Sequence, residues 1–178
     1  LVAERFAGGL ACDGGSDSDR FNLTRKSAFF DTVIEAPTTA CIIVNYNYGR
    51  FVDRAVRSVL EQTSNPDELW IVDDASTDGS QSSITKYASR AEVVLQPKNL
   101  GIRETFHRAV ERTRADYVMF LGADNWLRQD AISVLRRRLD ANPAACAAYF
   151  DMILFGERAG LLAHKVGASC IGEPKMGE

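Results

Sequence analysis

Leu69-Trp70-Ile71-Val72-Asp73-Asp74-Ala75-Ser76-Thr77-Asp78-Gly79 is an apolar run that ends in two carboxylates and then breaks into a small polar turn. In an open α/β sheet, ligands gather in the crevice beyond the carboxyl ends of the strands, and a ligand-binding carboxylate belongs there. Two other stretches share the design. Cys41-Ile42-Ile43-Val44 runs into Asn45-Tyr46-Asn47, and Tyr117-Val118-Met119-Phe120-Leu121 runs into Gly122-Ala123-Asp124-Asn125-Trp126. Three strand tips thus offer polar groups to one crevice.

Working outward, the periodicities alternate. Strands are expected at Ala40 to Val44, Glu68 to Val72, Glu92 to Leu95 and Asp116 to Leu121, with a fifth at Ala145 to Leu154. Between them the spacing of apolar residues turns helical. The first helix begins near Phe51, carries Val52, Ala55, Val56, Val59 and Leu60, and stops before Pro66. A second follows Asp78, whose side chain suits a helix N-cap, and includes Ile84 and Tyr87. A third spans about Ile102 to Arg114, and a fourth runs from near Gln129 to before Pro143. Strands interleaved with helices at these lengths imply a mostly parallel sheet with helices on its faces. Residues 1–36 are rich in Gly, Asp and Ser and read as a linker or the remnant of a preceding segment, although Phe29-Phe30 and Val33-Ile34 offer apolar groups for docking. No internal repeat is apparent.

The bulk properties fit one domain: 178 residues, 46% hydrophobic, net charge -3. Arg136-Arg137-Arg138 lies in a helical pattern with Leu135 and Leu139, which marks a solvated helix face rather than a nucleic-acid patch. The four cysteines, Cys12, Cys41, Cys146 and Cys170, show no C-x-x-C spacing, which points to a reducing compartment and no structural zinc. Asn22-Leu23-Thr24 fits a glycosylation sequon of the kind that arises by chance. No apolar run approaches the roughly 20 residues that span a bilayer. A cytoplasmic protein is expected, with association at the inner membrane face left to other parts.

Asp73 and Asp74 are consecutive, so on a strand they point to opposite faces and only one enters a given site. A carboxylate there can accept from a nucleobase N–H or a ribose hydroxyl. Tyr46 can stack on a base or pack over its own loop. Asp124 follows a purely apolar strand and precedes the next helical pattern by several residues. It suits a divalent cation, since Mg²⁺ takes only one or two protein carboxylates plus phosphate oxygens and water. His107 sits in a charged helix and His164 in an apolar tail, so neither supports a triad. Neither G-x-G-x-x-G nor a P-loop follows the first strand, which removes dinucleotide oxidoreductases and Walker-type NTPases.

Taken together, Ile42-Ile43-Val44-Asn45-Tyr46-Asn47, Ser58-Val59-Leu60-Glu61-Gln62-Thr63, Trp70 to Gly79, Asn99-Leu100-Gly101 and Phe120-Leu121-Gly122-Ala123-Asp124-Asn125 resemble family 2 glycosyltransferases of the GT-A fold. The resemblance covers about residues 39–150, in order. It implies a nucleotide-sugar-binding domain at 37–155, with 156–178 a tail that starts an incomplete acceptor region. It also implies a nucleotide diphosphate sugar donor, usually uridine-linked, a divalent metal (Mg²⁺ or Mn²⁺), a saccharide or lipid-linked acceptor, and a place in polysaccharide biosynthesis. By position, Val44 and Tyr46 fall at the base, Asn45 at the nucleotide sugar, and Asp74 at the base or ribose. Gly101 and Arg103 lie near the nucleotide, and Asp124 is the last acid of the D-x-D-type metal motif.

Two departures stand out. Gly122 replaces a common Asp, which leaves Asp124 as the one carboxylate of its motif, and Thr105-Phe106-His107 replaces the usual Ala-Arg-Asn. The implied chemistry is inverting transfer, in which an Asp or Glu base deprotonates the acceptor hydroxyl. In the family that base lies downstream in the acceptor half, and neither Asp151 nor Glu157 has surroundings that mark it as a base. The competing readings are a noncatalytic nucleotide-sugar or scaffold module, and a nucleotidyltransferase. The latter is disfavoured because Asn45 to Arg50 carries one Gly and one Arg instead of a Gly-rich basic loop.

Overall fold

The computed structural model describes residues 36–149 and the backbone of residues 3–5. Its elements are β1 (Ala3–Arg5), β2 (Thr39–Asn45), α1 (Gly49–Leu60), β3 (Glu68–Asp73), α2 (Ser80–Thr85), β4 (Glu92–Leu95), α3 (Ile102–Val110), β5 (Tyr117–Gly122), α4 (Ala131–Asp140) and β6 (Ala147–Ala148). The sheet order is β4-β3-β2-β5-β1-β6. Strands β2, β3, β4 and β5 run parallel, in register Ile43 to Ile71 and Leu121, and Ile71 to Val93. β1 pairs antiparallel with both β5 and β6. The mostly parallel sheet flanked by helices matches the expected α/β class.

β2 lies at the centre, and all seven of its residues are buried. A parallel strand covered on both faces needs apolar side chains at every position, which is why Cys41-Ile42-Ile43-Val44 reads as a continuous run. One face packs Cys41, Ile43, Ile71, Met119 and Leu121 under α1, α2 and α4. The other packs Ile42, Val44, Val72 and Val118 under α3, through Phe106, Ala109 and Val110. In α1 the buried residues Val52, Ala55, Val56 and Val59 recur at three and four residues, one stripe of a 3.6-residue helix. Each buried valine contributes roughly 1.5–3 kcal/mol.

The structure moves several expected boundaries. Ala3–Arg5, within the stretch read as a linker, pairs into the sheet. The third helix stops at Val110 rather than Arg114, and the fourth starts at Ala131 rather than near Gln129. Of the fifth expected strand only Ala147–Ala148 is extended; its continuation to Leu154 lies outside the described residues, as do Phe29-Phe30, Val33-Ile34, Asp151, Glu157 and His164. Among the described residues no helix is long and apolar enough to cross a membrane.

Candidate functional site

The carboxyl ends of β2, β3 and β5 come together because the strands are parallel neighbours: Val44 stands opposite Val72 on one side and Gly122 on the other. Backbone bonds tie the tips beyond the register, from Asp74 N to Asn45 O (2.8 Å) and from Ala123 N to Val44 O (3.0 Å). Side-chain alternation then divides the tip residues between two faces.

On the α1 face, Asp73 and Asn45 are fully buried. The Asp73 carboxylate accepts from Asn45 Nδ2 (2.7 Å), Ser76 N (2.9 Å) and Gln81 Nε2 (3.1 Å). Ser76 Oγ accepts from Asn45 Nδ2 (3.0 Å) and Asn47 N (2.9 Å), and Asn47 Oδ1 accepts from Thr77 N (2.8 Å). Asn45 Oδ1 is buried and meets no donor among the described residues. Asn45, expected at the nucleotide, thus directs its side chain into the joint between β2 and the β3 turn. Two non-glycine residues of this joint take left-handed backbone, Asn47 (φ 58°) and Ala75 (φ 61°). Asp78 was expected to cap the second helix, but Gly79 takes the N-cap position of α2; from the residue before it, Asp78 Oδ1 accepts from Ser80 N (2.9 Å) and Oδ2 from Gly49 N (2.8 Å) at the start of α1. The hydrogen bond from Ser80 Oγ, above all, holds the Asp78 carboxyl below its ordinary range.

On the α3 face, Asp74 is only 2% exposed. Its carboxylate accepts from the backbone N–H of Leu100 (2.8 Å) and Gly101 (2.9 Å). Asn99 Oδ1 shares the Gly101 N–H at 2.9 Å. Gly101 opens α3 with φ 82°, a conformation that favours glycine, and so lets the loop fold onto Asp74. Arg103 is exposed on the first turn of α3, and Tyr46 is 46% exposed at the tip of β2. Structure therefore brings Val44, Tyr46, Asp74, Gly101, Arg103 and Asp124 to one end of the sheet, with Asp74 holding the loop that carries Gly101.

Asp124 is exposed just past β5, and its Oδ1 accepts from Asn125 Nδ2 at 2.9 Å. Gly122 makes room for this arrangement, because a Cβ there would lie 2.8 Å from Asp124 Oδ1 and 3.0 Å from Asn125 Nδ2. Among the described residues no three His, Cys, Asp or Glu side chains gather as a metal cage. One open carboxylate fits a hard cation held mainly by phosphate oxygens and water. The Thr105-Phe106-His107 departure also has a structural account. Thr105 is fully buried and accepts from Gln96 Nε2 (2.9 Å). Phe106 packs edge-on against Phe120, ring centroids 4.6 Å apart, and His107 points outward near Glu111.

Comparison with known proteins agrees with this architecture. A family profile described as glycosyl transferase family 2 matches residues 40–158. The putative teichuronic acid biosynthesis glycosyltransferase TuaG of Bacillus subtilis is 33% identical over 54% of this chain and 39% of its own length. The chondroitin synthase of Escherichia coli is 32% identical over 58% of this chain and 15% of its own. The chain spans between 27% and 39% of the first three curated relatives it matches. Among solved structures, S. aureus TarS 1-349 in complex with UDP-GlcNAc superposes with a TM-score of 0.55 at 20% identity, over 60% of this chain and 32% of that one. The mannosyltransferase PcManGT from Pyrobaculum calidifontis, in complex with GDP-Man and Mn²⁺, gives 0.57 at 23% identity, over 63% and 34%. These likenesses show the GT-A fold. The chain therefore belongs to glycosyl transferase family 2.

Proposed function

We propose that residues 37–155 bind a nucleoside diphosphate sugar, uridine-linked, for inverting transfer to an acceptor hydroxyl of a saccharide or lipid-linked chain in polysaccharide biosynthesis. In this reading residues 156–178 begin the acceptor region, most of residues 1–36 links to a preceding segment, and the protein works on the cytoplasmic side, at or near the membrane surface. The convergence of Tyr46, Asp74 and Asp124 at the carboxyl ends of three adjacent parallel strands carries the proposal. Solved relatives of the same fold hold UDP-GlcNAc, or GDP-Man with Mn²⁺, which supports a nucleotide sugar as the ligand.

Val44 and the exposed Tyr46 ring offer an apolar edge and a stacking face to the base. Asp74 fixes the Asn99–Gly101 loop at the start of α3, and in this reading Arg103 on that first turn faces the nucleotide. Asp124, with water and phosphate oxygens, would hold a Mg²⁺ or Mn²⁺ ion. When bound, that ion supplies charge stabilisation for the departing diphosphate.

Gly122 favours a second reading, a noncatalytic nucleotide-sugar module, because it leaves the site one carboxylate. Calorimetric titration with UDP, with and without Mn²⁺, tests the binding proposal. Binding should strengthen with Mn²⁺, weaken in Asp74→Ala and lose its metal dependence in Asp124→Ala. Folded protein that binds no nucleoside diphosphate refutes it. Donor hydrolysis or sugar transfer that disappears in Asp124→Ala decides against the noncatalytic reading.

A further inference from the structure

The Ser58 to Thr63 motif lies in and just after α1, distant in sequence from the strand tips. Arg54, Ser58 and Gln62 recur at four residues, so they form one row along α1 and the turn that follows it. The row grips the chain immediately after Asp124-Asn125. The Arg54 guanidinium carbon lies 3.1 Å from the ring centroid of Trp126. Ser58 Oγ accepts from Leu127 N (3.0 Å) while donating to Ala55 O (2.7 Å). Gln62 is 7% exposed and its amide is fully engaged: Nε2 donates to Ser58 O (2.8 Å) and Arg128 O (2.7 Å), and Oε1 accepts from Ile132 N (3.0 Å). Thr63 N adds a bond to Gln129 O (2.8 Å). On the other side of Asp124, Ala123 N is bonded to Val44 O. The exposed carboxylate thus projects from a short span fixed at both ends.

We infer that Ser58 and Gln62 are positioning residues for Asp124, holding the Trp126–Ile132 segment so that a single carboxylate stands preset toward the metal-bound diphosphate of the donor. A site with two acids can adjust one ligand against the other. With Gly122 in place of the second acid, the position of Asp124 must come from backbone supports, and loss of the groups that orient a ligand typically costs about 10–100-fold in metal affinity. Gln62 also has a structural duty, since Asp130 makes no side-chain cap bond and Gln62 Oε1 serves the first turn of α4. The test must separate the two duties.

The inference rests on the proposed donor site. Amide hydrogen exchange over residues 124–132 is measured without ligand on the full chain for wild type, Ser58→Ala, Gln62→Ala and the hydroxyl-retaining Ser58→Thr. UDP titrations with and without Mn²⁺ follow on the same proteins. Faster exchange in both alanine variants is expected, with the Mn²⁺-dependent gain in UDP affinity reduced about tenfold or more. UDP binding without metal should stay unchanged, and Ser58→Thr should behave as wild type. Unchanged exchange in the folded Ser58→Ala protein overturns the pinning. Faster exchange with an intact Mn²⁺-dependent gain shows a structural role only and overturns the positioning. Wild type that shows the pinning but no Mn²⁺-dependent gain instead refutes the donor-site reading, and with it the target assigned to these residues.

Discussion

Asp73 and Asp74, adjacent at the end of β3, serve opposite faces of the sheet: Asp73 gathers Asn45, Ser76 and Gln81, whereas Asp74 gathers the Leu100 and Gly101 amides. Removing Asp73 strands several buried donors, so Asp73→Ala should cost about 2–4 kcal/mol in urea unfolding. Asp74→Ala frees only a loop and should cost about 1–2 kcal/mol while weakening UDP binding at least about tenfold. The reverse ordering of stability losses would show that the faces have been misassigned.

Gly122→Asp restores a second acid and forces the Asp124 carboxylate aside, because the new Cβ would lie 2.8 Å from Oδ1. Without metal, two carboxylates repel and stability should fall by about 1 kcal/mol. With UDP present, Mn²⁺ affinity should rise by about tenfold, since affinity for hard cations grows with ligand charge. Mn²⁺ titration followed by electron paramagnetic resonance measures both the free and the bound ion.

The order of strands and helices was legible because period-two and period-3.6 patterns alternate cleanly from Ala40 to Asp140. The convergence of Val44, Tyr46, Asp74 and Asp124 followed from parallel strands ending together. The inward turn of Asn45 was not legible, because an amide beside Tyr46 reads as a ligand group until register assigns it to the α1 face. Ala3–Arg5 carries no strand signal in three residues and pairs only because β5 offers an edge. Ser58 and Gln62 showed themselves only as part of a motif, since their partners lie 66 to 70 residues away.

Ala75 adopts φ 61°, where a β-carbon costs roughly 1–2 kcal/mol. Ala75→Gly removes that strain but gives the unfolded chain more freedom, worth about 0.4–1 kcal/mol. The net expectation is a gain of about 0.5–1 kcal/mol, read as a higher urea midpoint at unchanged slope. A loss of stability would mean that the Ala75 methyl makes a contact that outweighs its strain.

Asp53 joins α1 to α2 and answers to pH. Its carboxylate accepts from Lys86 and from Tyr87 Oη (2.6 Å) and pairs with Arg57 (2.8 Å). The Lys86 hydrogen bond, followed by that of Tyr87, holds the carboxyl below its ordinary value. A folded-state pKa below the unfolded one gives stability that is complete above about pH 4 and is lost as pH falls through the folded value. Asp53→Asn should flatten that part of the acid-unfolding curve while leaving the slope near neutrality unchanged. An identical acid limb in the variant would show that other carboxylates control it.

The one-residue alternation at the tips of β2, β3 and β5 also bears on how such a domain can diversify. In the proposed donor site most recognition falls to positions 44, 46, 103 and 124, whereas the joint of Asn45, Asp73 and Ser76 keeps the strands and turn together. If that proposal holds, point changes in the first set respecify the ligand on an unaltered scaffold. A single-residue insertion or deletion within β2 would exchange the faces of Asn45 and Tyr46, burying a recognition group and exposing a structural one. Substitution is thus the open route to new specificity at these tips, and length change the closed one.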